Sequence, residues 1–417
     1  MLFQFSAYSS LLLPFFVQGL VFSVLLLVRS RRLDEPADRW LAGLILLYTA
    51  NVAQWMLGFA NWYDAHNAYS TFMFYFPFPL YLGAGPLFYF YFRSLTNQGF
   101  RLSPRQRWHF APLAAYVGWF VVCFAYDVLL NHWLLGRPLP EHFGTKGALI
   151  SVGWVHDVAE ALNYVSLAAY GYLTLRAFRE YNRYLNDNFS DPERRRFRWL
   201  RHVLVAVLVG TVVSVAFGLV EFSAGLSYVQ FWYGYLFTGV LIYYLSVAGW
   251  QAQQQWRTRL HFEPSPLGPE PAAPDAEPVP VPAPEAPGAD AAPAEYLRWT
   301  ERLEQLMRAE RPYLEPDLSL AELAGRLGTN PALLSRVINS GFGQNFNDFV
   351  NGYRVAEAER LLGEPRYQHY TLLAIALESG FNSKSTFNRV FKKLKGETPS
   401  EAAQRLKSQP ASSRIIS

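Results

Sequence analysis

Hydrophobic positions along this chain come in blocks. Up to about residue 262, apolar runs alternate with short polar stretches. Windows near 11–28, 40–60, 72–92, 109–130, 157–176, 199–221 and 228–249 each approach the ~20 apolar residues that cross a bilayer core. They predict seven membrane-spanning helices. The third window holds Pro77, Pro79, Gly83, Gly85 and Pro86, which predict a kinked or broken helix whose freed backbone groups find other partners. The fifth is the least hydrophobic. No basic stretch precedes the first window and no small-residue cleavage site follows it, so it reads as a retained helix.

After residue 295 the pattern becomes that of amphipathic helices. Trp299, Leu303 and Leu306 form one stripe of a leading helix. Asp317 or Ser319 caps a helix over Leu320–Leu327 that Gly328 ends. Thr329 or Asn330 then caps a second helix, with Pro331 in its first turn. Leu333, Leu334, Val337 and Ile338 form its inner face and leave Ala332, Ser335, Arg336 and Asn339 outside. A long helix follows over about 346–362, with a buried stripe of Phe346, Phe349, Val350, Tyr353 and Ala356. The pattern then repeats. Thr371 opens a helix and Gly380-Phe381-Asn382 turns the chain. Ser383 caps a helix with Phe387, Val390 and Phe391 inside and Lys384, Ser385, Thr386, Arg389, Lys392 and Lys393 outside. Thr398-Pro399-Ser400-Glu401 opens a last helix with a capping box. Two helix-turn-helix units, about 318–340 and 371–395, share one connecting helix. If both second helices enter the major groove on one face, their sites fall about one helical turn of DNA apart, roughly 34 Å.

The whole-chain averages hide this partition. Charged residues are only 17% and aromatics also 17% of the 417 residues, where soluble domains carry about a quarter charged residues. Between the halves, 263–295 is rich in Pro and Ala, with Glu270, Asp275, Glu277, Glu285 and Asp290 and no basic residue from Pro264 to Pro293. That composition predicts a disordered linker, about 30 Å long as a coil and about 90 Å extended. The domain boundaries expected are therefore 1–262, 263–295 and 296–407, with a disordered tail at 408–417. The single cysteine, Cys123, sits in an apolar run, so no intrachain disulfide or cysteine-based metal centre is expected.

Charge in the loops carries independent information on topology. Arg29, Arg31, Arg32 and Arg39 fill the first loop. Arg93, Arg101, Arg105 and Arg107 fill the third, and eight arginines between Arg176 and Arg201 the fifth. The even loops are nearly bare. Basic residues mark the cytoplasmic face, so the N-terminus is expected outside and the C-terminal domain in the cytoplasm, at a bacterial inner membrane.

The C-terminal motifs resemble the DNA-binding domain of the AraC/XylS family. The resemblance rests on Leu318-Ser319-Leu320-Ala321-Glu322-Leu323-Ala324 and Leu334-Ser335-Arg336-Val337-Ile338-Asn339. It rests further on Ser379-Gly380-Phe381-Asn382-Ser383, Phe387-Asn388-Arg389-Val390-Phe391-Lys392-Lys393 and Gly396-Glu397-Thr398-Pro399-Ser400. It covers roughly residues 313–406. The stretch Asn347-Asp348-Phe349-Val350-Asn351-Gly352-Tyr353-Arg354-Val355 is similar to a branch often fused to multi-span membrane sensors. The resemblance implies base contacts from Ala332, Ser335 and Arg336 and from Lys384, Ser385, Thr386 and Arg389. Asn339, Lys392 and Lys393 complete the expected surface. Arg336 and Arg389 are the expected guanine readers. Ala332 is small where the family often places a larger side chain, so the first unit is expected to read fewer bases.

The expected fold is all-α: a seven-helix transmembrane domain, a disordered linker and a soluble double helix-turn-helix domain. The expected function is a one-component transcription regulator. Its expected partners are double-stranded DNA, the lipid bilayer, RNA polymerase, a small-molecule or physical signal and a second copy of the chain. The competing reading is a receptor or transporter whose C-terminal helices recruit a protein. No catalytic arrangement, metal motif or cofactor motif is present in the sequence, so an enzyme is not expected. Polar residues in the membrane half are the sensing candidates: His156, Glu160 and Asn163 at i, i+4 and i+7, and Glu221.

Overall fold

The computed structural model describes residues 4–63, 68–76, 80–97, 100–138, 153–192, 198–251 and 293–408. Among them every regular element is helical. Almost all of the Pro/Ala-rich stretch, and the tail from 409, lie outside the described residues. The chain divides into two compact units. One comprises Met1–Phe178 and Arg198–Glu263, the other Arg179–Phe197 and Pro264–Ser417.

The first unit opens with α1 (Ala7–Leu33), started by a reciprocal capping box between Ser6 and Ser9. A turn through Asp34 leads to α2 (Pro36–Phe59), with proline at its first position, where a missing N–H costs nothing. The third apolar window is interrupted, as its prolines predict. It comprises α3 (Ala68–Phe74) and α4 (Ala84–Thr96), preceded by a 3-10 turn at Tyr81–Gly83. Pro77 and Pro79 lie outside the described residues. Next come α5 (Ala111–Phe124), continued by a π-helix over Ala125–Leu134, then α6 (Gly153–Asn188), α7 (Arg198–Ala224) and α8 (Tyr228–Gln251).

Among the described residues, five helical stretches are long and apolar enough to cross a membrane: Ala7–Leu33, Pro36–Phe59, Arg105–Leu134, Arg201–Val220 and Tyr228–Gln251. The broken third window and the more polar fifth, inside α6, are not among them. Large apolar side chains stay uncovered on these helices. Val121, Val212 and Leu219 are 60%, 68% and 65% exposed, a surface that needs a lipid or protein cover.

Arg29, one of the first-loop arginines that mark topology in the sequence, is buried. Its guanidinium makes a bidentate ion pair with Asp38 at 2.6 and 2.7 Å and donates to the Gly249 and Trp250 carbonyls at 2.9 and 3.0 Å. It also lies 4.8 Å from the Trp250 ring centroid. One side chain thus ties α1, α2 and the C-terminal end of α8 together, satisfying carbonyls that a helix end leaves without partners.

The second unit contains α9 (Pro293–Ala309), α10 (Leu320–Leu327), α11 (Pro331–Phe342), α12 (Phe346–Gly363), α13 (Leu372–Glu378), α14 (Lys384–Lys395) and α15 (Pro399–Ser408). It has two apolar cores, and α12 serves both. Phe346, Phe349 and Val350 join Leu303, Leu323, Leu334 and Ile338 in the first. Val355, Ala358, Leu361 and Leu362 join Ile375, Phe381, Phe387 and Phe391 in the second. Ala356, expected on the buried stripe, is exposed. The buried phase passes instead through Arg354 and Val355, because the helix turns its second half toward a second core.

Candidate nucleic-acid interface

The α10–α11 and α13–α14 helix pairs are each set by caps. Ser319 starts α10 with a full capping box: its Oγ accepts the Glu322 N–H at 3.3 Å, and Glu322 Oε2 accepts the Ser319 N–H at 2.8 Å. Gly328, at φ 72°, ends it in a left-handed turn. Asn330 Oδ1 then accepts the Leu333 N–H at 2.8 Å and starts α11 with Pro331 in its first turn. In the second pair Thr371 caps α13 and Ser383 caps α14.

With the inner faces packed, the outer faces are fixed. On α11, Ala332, Arg336 and Asn339 are exposed and Ser335 is half-buried. On α14, Lys384, Ser385, Arg389, Lys392 and Lys393 are exposed. Thr386 is half-buried, its hydroxyl 3.0 Å from Ser383 Oγ. All ten sequence-predicted residues therefore fall on the second helices, away from the cores. Lys393 differs from the rest. Its ammonium pairs with Asp348 at 2.8 Å and braces α14 against α12, so a neighbouring carboxylate offsets its charge.

A buried hub joins the two helix pairs. The Arg354 side chain, on a residue only 1% exposed, donates to the Tyr313 and Glu315 carbonyls at 2.8 Å and to the Pro316 carbonyl at 3.3 Å. It lies 5.9 Å from the Phe381 ring centroid in the turn of the second pair. Burial pulls its pKa down to about 10, which leaves it charged at neutral pH. Gly380, at φ 87°, lets that turn approach closely, since a Cβ there would strike the Tyr313 carbonyl and Leu314 Cα. The turn between α13 and α14 is thus tied to the 313–316 segment that precedes α10.

The segment after α6 enters the same hub. Ser190 Oγ accepts from Arg354 at 3.0 Å, and its carbonyl accepts from Arg354 at 3.3 Å and from Asn347 Nδ2 at 2.7 Å. The Ser190 N–H donates to the Leu318 carbonyl at 3.1 Å, beside an antiparallel bridge between Phe189 and Ser319. Asn382 Nδ2 donates to Asp191 at 3.1 Å. The sequence reading missed this segment. Arg354 carried a signal, as a charged residue in helical phase with Val350, Ala358 and Leu361; Ser190 carried none.

Of the sensing candidates, His156, Glu160 and Asn163 line one cavity of the first unit, together with Asn51 and Gln54. Glu221 lies on α7, and its side chain is outside the described set. Among the described residues no group of His, Cys, Asp or Glu is arranged to hold a metal ion.

Comparison with known proteins bears on the second unit alone. Residues 323–405 match the family model of a helix-turn-helix domain. This helix-turn-helix domain is 34% identical over 89 residues to an uncharacterized HTH-type transcriptional regulator of Staphylococcus aureus (strain COL). The match covers 21% of the chain and 12% of that relative. Over 117 residues the chain is 31% identical to the uncharacterized HTH-type transcriptional regulator YtdP of Bacillus subtilis (strain 168), covering 28% of the chain and 14% of YtdP. The chain thus spans about an eighth of the length of these relatives. No solved structure matches it.

Proposed function

We propose that the protein is a membrane-bound transcription regulator of AraC type. It binds DNA sequence-specifically through α11 and α14 and is controlled by a signal at its N-terminal helices. The observation that carries this reading is the pair of capped second helices with exposed polar and basic outer faces, held together by Arg354. The likeness to HTH-type transcriptional regulators supports it. Arg336 and Arg389 read bases. Lys384 and Lys392 contact phosphates, which fix register and supply affinity.

The membrane part of the proposal has seven spans. The five long apolar helices supply five, the α3–α4 pair a broken sixth, and α6 the seventh. With the arginine-rich odd loops in the cytoplasm, the helix-turn-helix domain faces the chromosome. RNA polymerase and a second copy of the chain are the proposed protein partners. Signal transfer is assigned to α6, whose C-terminal residues from Arg179 belong to the DNA-reading unit.

Selection of bound sequences from random DNA by the purified full chain tests the reading. A consensus site is expected. Arg336→Ala and Arg389→Ala each lose about 1–3 kcal/mol of discrimination at one position. Lys392→Ala weakens all sequences alike and lowers the salt slope by about 1. Enrichment of no sequence, with both arginine variants binding like the parent, would rule it out.

A further inference from the structure

The first unit encloses a cavity of about 380 Å³ between α2, α6, α7 and α8, within the size range of small-molecule sites. Its chemistry is lopsided. No Lys or Arg lines it. His156, its one basic side chain, turns Nδ1 to the Tyr81 and Tyr116 hydroxyls at 3.3 and 3.2 Å. Glu160 accepts from the Tyr164 hydroxyl at 2.9 Å and has no cationic partner among the described residues. Asn163 Oδ1, on the same face of α6, is buried with no hydrogen-bond donor. Opposite stands an aromatic wall in which Trp55 stacks on Tyr235 with centroids 4.4 Å apart, beside Phe231 at 5.5 Å.

We infer that this cavity binds a small organic ammonium ion with an apolar body. Asn163 Oδ1, an acceptor lacking a donor, suits an N–H group, and the half-buried Glu160 carboxyl without a countercharge suits a cation. The ring faces add cation–π attraction in a desolvated site. An anion would meet Glu160 with nothing to neutralise it, and a neutral molecule would leave the carboxyl uncompensated. The site goes beyond the DNA-binding reading and does not depend on it.

The test uses the full chain in dodecyl maltoside, which carries no ammonium headgroup, and three probes of one shape: 2-phenylethylammonium, 2-phenylethanol and phenylacetate. Calorimetric titration is expected to show saturable binding of the ammonium, with the alcohol and the carboxylate at least tenfold weaker. Glu160→Gln should weaken the ammonium on the order of 10- to 100-fold, and Trp55→Leu by roughly 3- to 30-fold. Both variants should keep the parent's melting temperature without probe and its affinity for DNA. Equal binding of all three probes, no saturable binding of the ammonium, or a folded Glu160→Gln chain that binds it like the parent would each overturn the proposal. Should Glu160→Gln fail to fold, the contrast between ammonium and alcohol on the parent chain decides. Loss of DNA binding with ammonium binding intact would sink the regulator reading and leave this one standing.

Discussion

Arg354 shows how much of the helix-turn-helix domain depends on one side chain. Its guanidinium satisfies three carbonyls of the 313–316 segment and abuts Phe381 of the second turn. Arg354→Met keeps much of the volume but leaves those carbonyls without donors in a buried site. The expected cost is about 3–5 kcal/mol, the range for removing one partner of a buried charged network. Hydrogen exchange at α12 and α13 of the full chain measures it, and unchanged protection would contradict the hub. Helical spacing finds which positions are inside, but assumes that inside means apolar. That assumption placed Ala356 in the core and overlooked Arg354, four residues beyond Val350 on the buried stripe. The outer-face residues of α11 and α14 were legible because caps and turn glycines fix the helix phase locally. Arg29 is different, since a loop arginine that marks topology can also be a buried clamp.

At the scale of the element, α12 is the beam between two cores, and its charged side chains brace it. Glu357, 8% exposed, accepts two hydrogen bonds from Arg360 at 2.7 and 3.0 Å. The Arg360 hydrogen bonds hold its pKa below the ordinary value of 4.5 against the opposing effect of burial, with Arg311 adding to the same direction. A carboxyl with a depressed folded pKa contributes stability that is fully present above its unfolded value. That stability is lost as pH falls through the folded one. The protection of α12 in the parent relative to Glu357→Gln should therefore be constant above about pH 5 and shrink below about pH 4.5. A difference that stays constant down to pH 3 would show that the pair contributes nothing on ionisation. Element existence was readable along the C-terminal unit, because its helices carry apolar stripes and most of them a cap. The interrupted third window was readable from its prolines. The pairing of α12 with two cores was not, since helical phase says which face is buried and not against what.

At the scale of the whole molecule, the proposed function asks how a membrane event could reach the DNA. Sequence offered only the acidic linker, which cannot transmit a defined displacement. The structure adds a second covalent route. α6 carries His156, Glu160 and Asn163 near its start, and the residues just past its end pair with the helix-turn-helix domain at Ser190 and Asp191. Those contacts reach Arg354 and Asn382, which link the α10–α11 pair to the α13–α14 pair, so moving the segment would act on the spacing of α11 and α14. Ser190→Pro tests this by removing two of the segment's contacts, the Oγ that accepts from Arg354 and the backbone N–H that donates to the Leu318 carbonyl. Ser190 lies beyond the last helical residue of α6. Allosteric couplings typically span about 1–3 kcal/mol, or roughly 5- to 150-fold in affinity. A change of at least about fivefold in DNA affinity of the full chain is therefore expected, with exchange at Leu318–Ala321 accelerated and base preference unaltered. If affinity stays the same while those amides open, the segment is a passive rest for the domain, and the signal must travel by the linker or by association of chains.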